Sequence, residues 1–185
     1  MIVIGVDPGT LITGYGVIEA RNGKMKIIDS GAIKNASQTS MPLRLKLIFE
    51  TLNKITTKYH PDEFAIETAF YGKNAQSALK LGHARGAAML TAVLQEIPTS
   101  EYSPREVKKA IVGNGAAAKE QVQFMIKSLL KLKELPKYYD VTDALAVAIC
   151  HIQRKQKSQT KSYKSWKSFI TAHPEKIYTT RKGKK

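Results

Sequence analysis

Two carboxylates end short apolar strands, in positions where they could serve in catalysis. Asp7 ends the run Ile2–Val6, whose β-branched residues predict a strand buried on both faces. Glu67 ends the run Glu63–Ile66 in the same way. A buried carboxylate is costly unless an opposite charge compensates it. The carboxyl ends of strands are also where the active sites of α/β sheets gather.

A second pair of acids lies at the start of a predicted helix. Asp140 and Asp143 are three residues apart, so their side chains leave one face with β-carbons roughly 5–6 Å apart. Asp140 alone is explained as a helix N-cap, favoured by the helix dipole. That explanation does not cover Asp143, because the helix is otherwise rich in Ala, Val and Ile and must pack against the sheet.

Together these four acids indicate a metal site. Four carboxylates in one pocket would repel each other strongly unless cations lay between them. Oxygen ligands select Mg²⁺ or Mn²⁺ over zinc, and the sequence has no Cys/His cluster. Two such ions suit phosphodiester hydrolysis, one activating the attacking water and the other stabilising the leaving 3′ oxygen. Taken singly, each acid also has a structural explanation; for Asp7 it is a plain turn with Pro8 and Gly9.

Hydrophobic patterning predicts the elements that must position these acids, in an α/β fold with one five-stranded mixed sheet. Three strands form an antiparallel meander, in which Asn22-Gly23 marks a hairpin and Gly14 a turn. The glycines of the second strand are expected to leave open space beside Asp7. The predicted strands are Ile2–Asp7, Thr13–Glu19, Lys24–Ile33, Glu63–Glu67 and Ile97–Tyr102. The predicted flanking helices are Pro42–Tyr59, Ala75–Gln95, a short one after Ser103, Gln121–Leu132 and one from Asp140.

The helix Ala75–Gln95 is apolar almost all round. A stripe of small residues, including Gly82 and Gly86, would allow close approach of another helix. Two explanations are open: contact with a second copy across a two-fold axis, or burial as a central helix within one domain.

The charge of the chain indicates a polyanionic partner. The 185 residues carry a formal net charge of +15, with a pI near 9.8, which favours nucleic acid over an acidic membrane surface. Residues 154–185 hold 11 basic residues and a single acid. We therefore predict a domain at 1–152 and a basic C-terminal tail at 153–185. The tail, with aromatic residues spaced among its lysines, could dock on the domain, stack on bases, or stay solvated.

Cysteine content and hydropathy point to a cytoplasmic protein. The single cysteine, Cys150, cannot form an internal disulfide, which suits a reducing compartment. No segment approaches the roughly 20 apolar residues of a membrane span. The segment Met1–Val6 lacks the basic start and the length of a signal peptide. We expect no membrane partner.

Several motifs follow one another along residues 1 to 152. They are Gly5-Val6-Asp7-Pro8-Gly9-Thr10, Thr13–Val17, Ala65-Ile66-Glu67, Phe70, Lys73-Asn74, Ser77–Gly82, Ala84-Arg85-Gly86, Arg105, Val107-Lys108, Val112-Gly113, Lys119, Gln121-Val122 and Asp140–Ala148. In this order and at this spacing they resemble the RuvC Holliday-junction resolvases, a family of the RNase H-like nuclease superfamily. The resemblance does not reach the tail.

The resemblance implies an RNase H-like fold and a homodimeric endonuclease that makes paired symmetric nicks in a four-way DNA junction. It places the family's acidic tetrad, which holds two Mg²⁺ ions with Mn²⁺ as a substitute, on Asp7, Glu67, Asp140 and Asp143. Some relatives carry histidine at the position of Asp140, so the separate ligand roles of Asp140 and Asp143 stay open. The implied partners are the junction, a second copy, and a RuvA–RuvB-type branch-migration complex.

The resemblance also implies residues that meet DNA. Lys108 and Lys119 match basic residues near the scissile phosphate, and Lys119 is expected to act in catalysis. Phe70 corresponds to the aromatic that wedges into the junction, with Tyr71 beside it and Lys73 as a further contact. Recognition would be mainly of shape and backbone. The small-residue helix matches the dimer-forming region, which favours the first explanation given above.

Two other functions fit parts of the sequence. The Asp-Pro-Gly-Thr turn after a strand also resembles the phosphate loop of actin-like and sugar-kinase ATPases. Those folds need two such domains, and a chain of 185 residues has room for one. A non-enzymatic nucleic-acid-binding module would explain the charge, but buried acids oppose binding of a polyanion.

Overall fold

The computed structural model describes residues 1–68, 75–159 and 170–171. The strands are β1 Ile2–Asp7, β2 Ile12–Arg21, β3 Lys24–Lys34, β4 Glu63–Glu67 and β5 Thr99–Tyr102. The helices are α1 Met41–Tyr59, α2 Ala75–Leu94, α3 Pro104–Val112, α4 Lys119–Leu129 and α5 Tyr139–Gln159. All five predicted strands and all five predicted helices are present, with changes at several ends.

The five strands form one mixed sheet in the order β3-β2-β1-β4-β5. β2 is antiparallel to both β1 and β3, whereas β4 is parallel to β1 and to β5. The predicted arrangement, a three-strand meander extended by two further strands, is therefore confirmed. Parallel neighbours need long crossover connections, and α1 and α2 provide them on the way into β4 and β5.

Helices cover both faces of the sheet because the side chains of β1 alternate between two apolar cores. Val3 joins a core that includes residues of α3, α4 and α5. Ile4 and Val6 join a second core with residues of α1 and α2. All three side chains are fully buried, and each such burial contributes about 1.5–3 kcal/mol. The prediction of a strand buried on both faces is thus confirmed.

α5 lies so close to the sheet that two glycines face its backbone. A Cβ at Gly14 would lie 1.9 Å from the carbonyl oxygen of Asp140, and one at Gly5 would lie 2.2 Å from that of Ala144. The expectation of open space beside Asp7 is therefore wrong, because the α5 backbone fills that space. The contact fixes the position of the first turn of α5 relative to β1.

Gly14 also differs from the prediction that it lies at a turn. It is the third residue of β2, which begins at Ile12, and it pairs with Asp7 of β1. The β1–β2 turn is thus tighter than expected. The second turn, at Asn22-Gly23, is confirmed, with φ values of 51° and 72° that match the left-handed conformation these residues favour.

Both ends of α5 lie outside the predicted limits. The helix begins at Tyr139, so Asp140 lies in its first turn and is not the N-cap. It continues beyond Ile152 to Gln159, since the Lys, Arg and Gln residues there are good helix formers. The chain divides into two compact units, Met1–Gln153 and Arg154–Lys185. In the ranges 1–68, 75–159 and 170–171, no helix has the length and apolar character of a membrane span.

α2 has a buried side and an exposed apolar side. The buried residues are Ala84, Ala88, Thr91 and Ala92. The exposed large apolar residues are Leu79, Leu90, Val93 and Leu94. A Cβ added at Gly82 or Gly86 would meet no other atom of the described residues within 4 Å. The positions of Gly82 and Gly86 therefore face no other element of the described chain.

We expect Gly14→Ala to lower the free energy of unfolding by about 1–3 kcal/mol or more, because the new methyl group would collide with the α5 backbone. Gly31→Ala is the matched control on the neighbouring strand, where the new Cβ would meet the phenol end of the Tyr15 side chain and no helix backbone. Urea unfolding monitored by circular dichroism would compare them. Equal losses for the two variants would contradict the close approach of α5.

Candidate active site

Two carboxyl groups meet at one edge of the sheet because β1 and β4 are parallel neighbours. Val6 pairs with Ile66, so Asp7 and Glu67 come next at equivalent positions at the carboxyl ends of the two strands. The two side chains share a hydrogen bond. The strand pairing alone therefore brings together residues that are 60 positions apart in the sequence.

Burial and mutual repulsion raise the pKa of both carboxyls. Burial, followed by the charges of Asp143 and Asp140, raises the pKa of Asp7 to about 7, although the hydrogen bond with Glu67 lowers it. Burial and the charges of Asp7 and Asp143 raise the pKa of Glu67 to about 9, and here the hydrogen bond adds to the rise. At neutral pH the Asp7–Glu67 pair therefore keeps a shared proton that ordinary carboxyl groups would have released.

Lys119 supplies the nearest positive charge. Its Nζ donates a hydrogen bond to Asp143 Oδ2 at 2.9 Å. Burial by itself would lower the Lys119 pKa, but the hydrogen bond and charge of Asp143, with the charges of Asp140 and Asp7, raise it above its ordinary value. Lys119 is the first residue of α4 and Asp143 lies in α5, so this ion pair joins two helices at the edge of the sheet.

The charge balance of this acidic cluster fits divalent cations. In the described residues no three His, Cys, Asp or Glu side chains are already arranged to hold a metal ion. Instead, the shared proton and the Lys119 ammonium provide the compensating positive charge. Carboxylate oxygens are the donors that Mg²⁺ and Mn²⁺ prefer. The residues that could hold such ions are Asp7, Glu67 and Asp143, together with Asp140, whose charge acts on Asp7 from the first turn of α5.

A cavity of about 190 Å³ opens beside these acids. Its walls combine charged groups with aliphatic side chains of α3, α4 and α5. Lys108 lines it, and its Nζ donates a hydrogen bond to the carbonyl oxygen of Ala117 at 2.8 Å. The lining residues are Glu67, Pro104, Val107, Lys108, Lys119, Val122, Asp143 and Ala146. The predicted residues Lys108, Lys119, Glu67 and Asp143 thus share one cavity.

The turn after Asp7 is held by residues that the sequence analysis missed. The buried Thr13 hydroxyl donates to the carbonyl oxygen of Gly9 at 2.6 Å. Asn35, just beyond β3, donates its backbone N–H to the Leu11 carbonyl oxygen at 2.8 Å and its side-chain amide to that of Thr10 at 3.2 Å. The sequence offered only a weak signal for this role, namely a threonine next to a glycine of the second strand.

Three predicted DNA-contacting residues, Phe70, Tyr71 and Lys73, lie outside the described residues. Another residue was missed entirely: Tyr139, whose ring centre lies 4.8 Å from Lys119 Nζ. It precedes Asp140 directly, and a tyrosine pair among lysines was the available signal.

Comparison with known proteins gives the same family as the motifs. The family model described as "Crossover junction endodeoxyribonuclease RuvC" matches residues 3–151. The protein of that name from Christiangramia forsetii is 46% identical over 177 residues, which cover 95% of this chain and 92% of the relative. These values show common descent over almost the whole length.

Solved structures agree. The structure described as T. thermophilus RuvC in complex with Holliday junction substrate is 31% identical, with a TM-score of 0.81, and the match covers 85% of this chain and 96% of that one. The yeast mitochondrial Holliday junction resolvase, at 13% identity and a TM-score of 0.61, shares the fold over 85% of this chain and 80% of its own. The predicted RNase H-like fold is confirmed, and the chain belongs to the RuvC family of crossover junction endodeoxyribonucleases.

Proposed function

We propose that this protein resolves four-way DNA junctions by paired symmetric nicks, through divalent-metal-dependent hydrolysis of phosphodiester bonds in recombination and repair. The observation that carries the proposal is the acidic cluster. A protonated Glu67–Asp7 pair lies beside Asp143, which is bound to Lys119. Buried carboxyl groups that are difficult to ionise would repel a polyanion once they were charged. In a strongly basic protein they therefore fit a site that binds cations before it binds DNA.

Asp7, Glu67, Asp140 and Asp143 would hold two Mg²⁺ ions, with Mn²⁺ as a substitute. When bound, the ions would act as Lewis acids that activate the attacking water and stabilise the leaving 3′ oxygen. The raised pKa values of Asp7 and Glu67 fit this role, since a carboxyl that is difficult to ionise alone ionises readily beside a divalent cation. The Asp7–Glu67 pair would release its shared proton to solvent.

Lys119 would stabilise charge on the reacting phosphate. Its ammonium remains protonated, held by Asp143 within hydrogen-bond distance. Turned toward a phosphate in the same cavity, it would donate to a non-bridging oxygen as negative charge builds up there. Lys108, which belongs to α3, lines the same cavity. From there it would contact the DNA backbone.

The exposed apolar side of α2 supports a homodimer. Leu79, Leu90, Val93 and Leu94 are exposed, and Leu43 and Leu47 of α1 are exposed as well. Exposed apolar patches of this kind mark association surfaces. A second copy related by a two-fold axis would cover them and would present two equivalent acidic clusters to a two-fold junction.

The remaining proposals rest on the sequence resemblance and the charge. We assign residues 1–152 to the nuclease domain and residues 153–185 to a basic tail that adds phosphate attraction. Phe70, Tyr71 and Lys73 would contact the branch point. A RuvA–RuvB-type branch-migration complex would be the protein partner, and a DNA substrate would place the activity in the cytoplasm.

We expect Asp7→Asn to lower the rate of junction cleavage by at least about a hundredfold while leaving junction affinity within about twofold, since it removes a metal ligand and not a DNA contact. Glu120→Gln, a charge-removing change at an exposed position of α4, is the control. The assay uses a labelled four-way junction and a linear duplex, each with and without Mg²⁺. Cleavage of both DNAs alike, or cleavage without Mg²⁺, would contradict the proposed function.

We expect the metal-free protein to lose stability as the pH rises from about 4.5 toward 9. In that window the folded Asp7–Glu67 pair keeps protons that the unfolded chain has released, so the stabilisation is complete at low pH and is lost as the pH rises through the folded pKa values. Thermal unfolding in EDTA at pH 5 and pH 8 would show it. Adding Mg²⁺ should raise Tm more at pH 8 than at pH 5.

The double variant D7N/E67Q separates this effect from other titrations. Its Tm should depend less on pH than that of the wild type, and Mg²⁺ should have little effect on it, whereas Glu120→Gln should follow the wild type. A double variant that keeps the full pH dependence would show that the acidic pair does not cause it.

We expect Lys119→Ala to slow single-turnover cleavage by about a hundredfold and to weaken junction binding far less, because the ammonium acts on charge that develops during the reaction. Lys119→Arg, which keeps the charge, should recover part of the rate. The measurement is cleavage at saturating protein together with affinity in EDTA. A loss of affinity with an unchanged rate on the bound junction would make Lys119 a binding residue only.

A further inference from the structure

Four side chains beside the acidic cluster form a surface that the activity described above does not use. Lys34, at the end of β3, places its Nζ 4.1 Å from the ring centre of Tyr138, and Lys137 places its Nζ 5.9 Å from the same ring. Tyr139 follows directly. We call Lys34, Lys137, Tyr138 and Tyr139 the cation–aromatic rim.

The rim is continuous with the acidic cluster through one lysine. Lys119 Nζ lies 4.8 Å from the ring centre of Tyr139 and 2.9 Å from Asp143 Oδ2. On the other side, Lys34 pairs with Ile12 at the start of β2, two residues from the Gly14 that pairs with Asp7. The rim therefore lies at the same edge of the sheet as Asp7. Its residues lie next to the acids at the start of α5.

Packing explains only part of the rim. Tyr138 is partly buried against the core that includes α5, which is a sufficient reason for an apolar ring there. Tyr139 is different, because 61% of its surface is exposed. The ion pairs seen in the described part of the chain at Lys46, Arg85, Lys119 and His151 do not involve the lysines of the rim. Neither Lys34 nor Lys137 is thus neutralised by a carboxylate contact in that part of the chain.

Exposed lysines interleaved with an exposed aromatic ring match the chemistry of a nucleic-acid strand. Ammonium groups bind phosphates, and an exposed ring stacks on a base that has left its own stack. The acidic cluster repels phosphates until it is compensated, so a strand approaching it needs positive charge close by. The rim supplies that charge next to the acids on the side of α5.

We propose that the cation–aromatic rim binds the DNA strand next to the acidic cluster, with Lys34 and Lys137 on its phosphates and Tyr139 stacked on an unpaired base at the branch point. This inference rests on the proposed function, because it assigns a further contact for the same junction. It gives Tyr139 a binding role that is separate from its contact with Lys119.

The salt dependence of binding tests the lysines. Affinity for a four-way junction is measured in EDTA over a range of NaCl concentrations for the wild type and for K34A/K137A. K24A/K26A is the matched control, since it removes the same charge from exposed positions at the opposite end of β3. Loss of two phosphate contacts should reduce the slope of log K against log [salt] by about 1.8. The control should keep the wild-type slope.

Two substitutions test the ring. Tyr139→Ala should weaken junction binding by about tenfold, and Tyr139→Phe, which keeps the stacking surface, should stay within about twofold of the wild type. Single-turnover cleavage at saturating protein is measured for both variants beside their affinities. A slower cleavage rate with unchanged affinity in Tyr139→Ala would mean that the ring acts only through Lys119, which would overturn its assignment to DNA.

The outcomes separate this inference from the proposed function. If the wild type cleaves junctions in Mg²⁺ but K34A/K137A keeps the wild-type slope, the rim is not a DNA contact and the proposed function stands. If the wild type neither binds nor cleaves the junction, both fail.

Discussion

The structure depends on one electrostatic constraint: carboxyl groups buried side by side must find positive charge. Here a proton shared by Asp7 and Glu67, together with the Lys119 ammonium, provides it, and both are weak substitutes for divalent ions in an all-oxygen site. A fold that kept this arrangement only for stability would gain by replacing the acids with apolar side chains of similar volume. Their retention in a strongly basic protein is best explained by what they bind.

The architecture serves this constraint through three independent contacts. Parallel pairing of β1 with β4 sets Asp7 beside Glu67. The close approach of α5 to β2 at Gly14 places the first turn of that helix against the same edge. Lys119, at the start of α4, then reaches Asp143. The first two contacts join elements that are distant in sequence and the third joins residues 24 positions apart, so the site exists only in the folded chain.

Much of this structure could be predicted from local patterns in the sequence. Alternating and apolar runs identified every strand and helix, and acids at strand ends identified the edge where Asp7 and Glu67 meet. What could not be foreseen arises from contacts between distant elements. The filling of the space beside Asp7 by α5, and the placement of Tyr139 over Lys119, depend on helix-to-sheet distances that no local pattern encodes. The start of α5 was misplaced by one residue because Asp140 is a good cap in isolation.

Parallel pairing also makes β4 and the connection that precedes it unequal in their tolerance of evolutionary insertions. Successive side chains of a strand point to opposite faces, so a single residue added within β4 would turn Glu67 to the far side of the sheet. The same addition in the crossover that contains α1 would lengthen a surface connection at little thermodynamic cost. Length variation among descendants of this chain should therefore concentrate between β3 and β4 and spare the five residues of β4 itself.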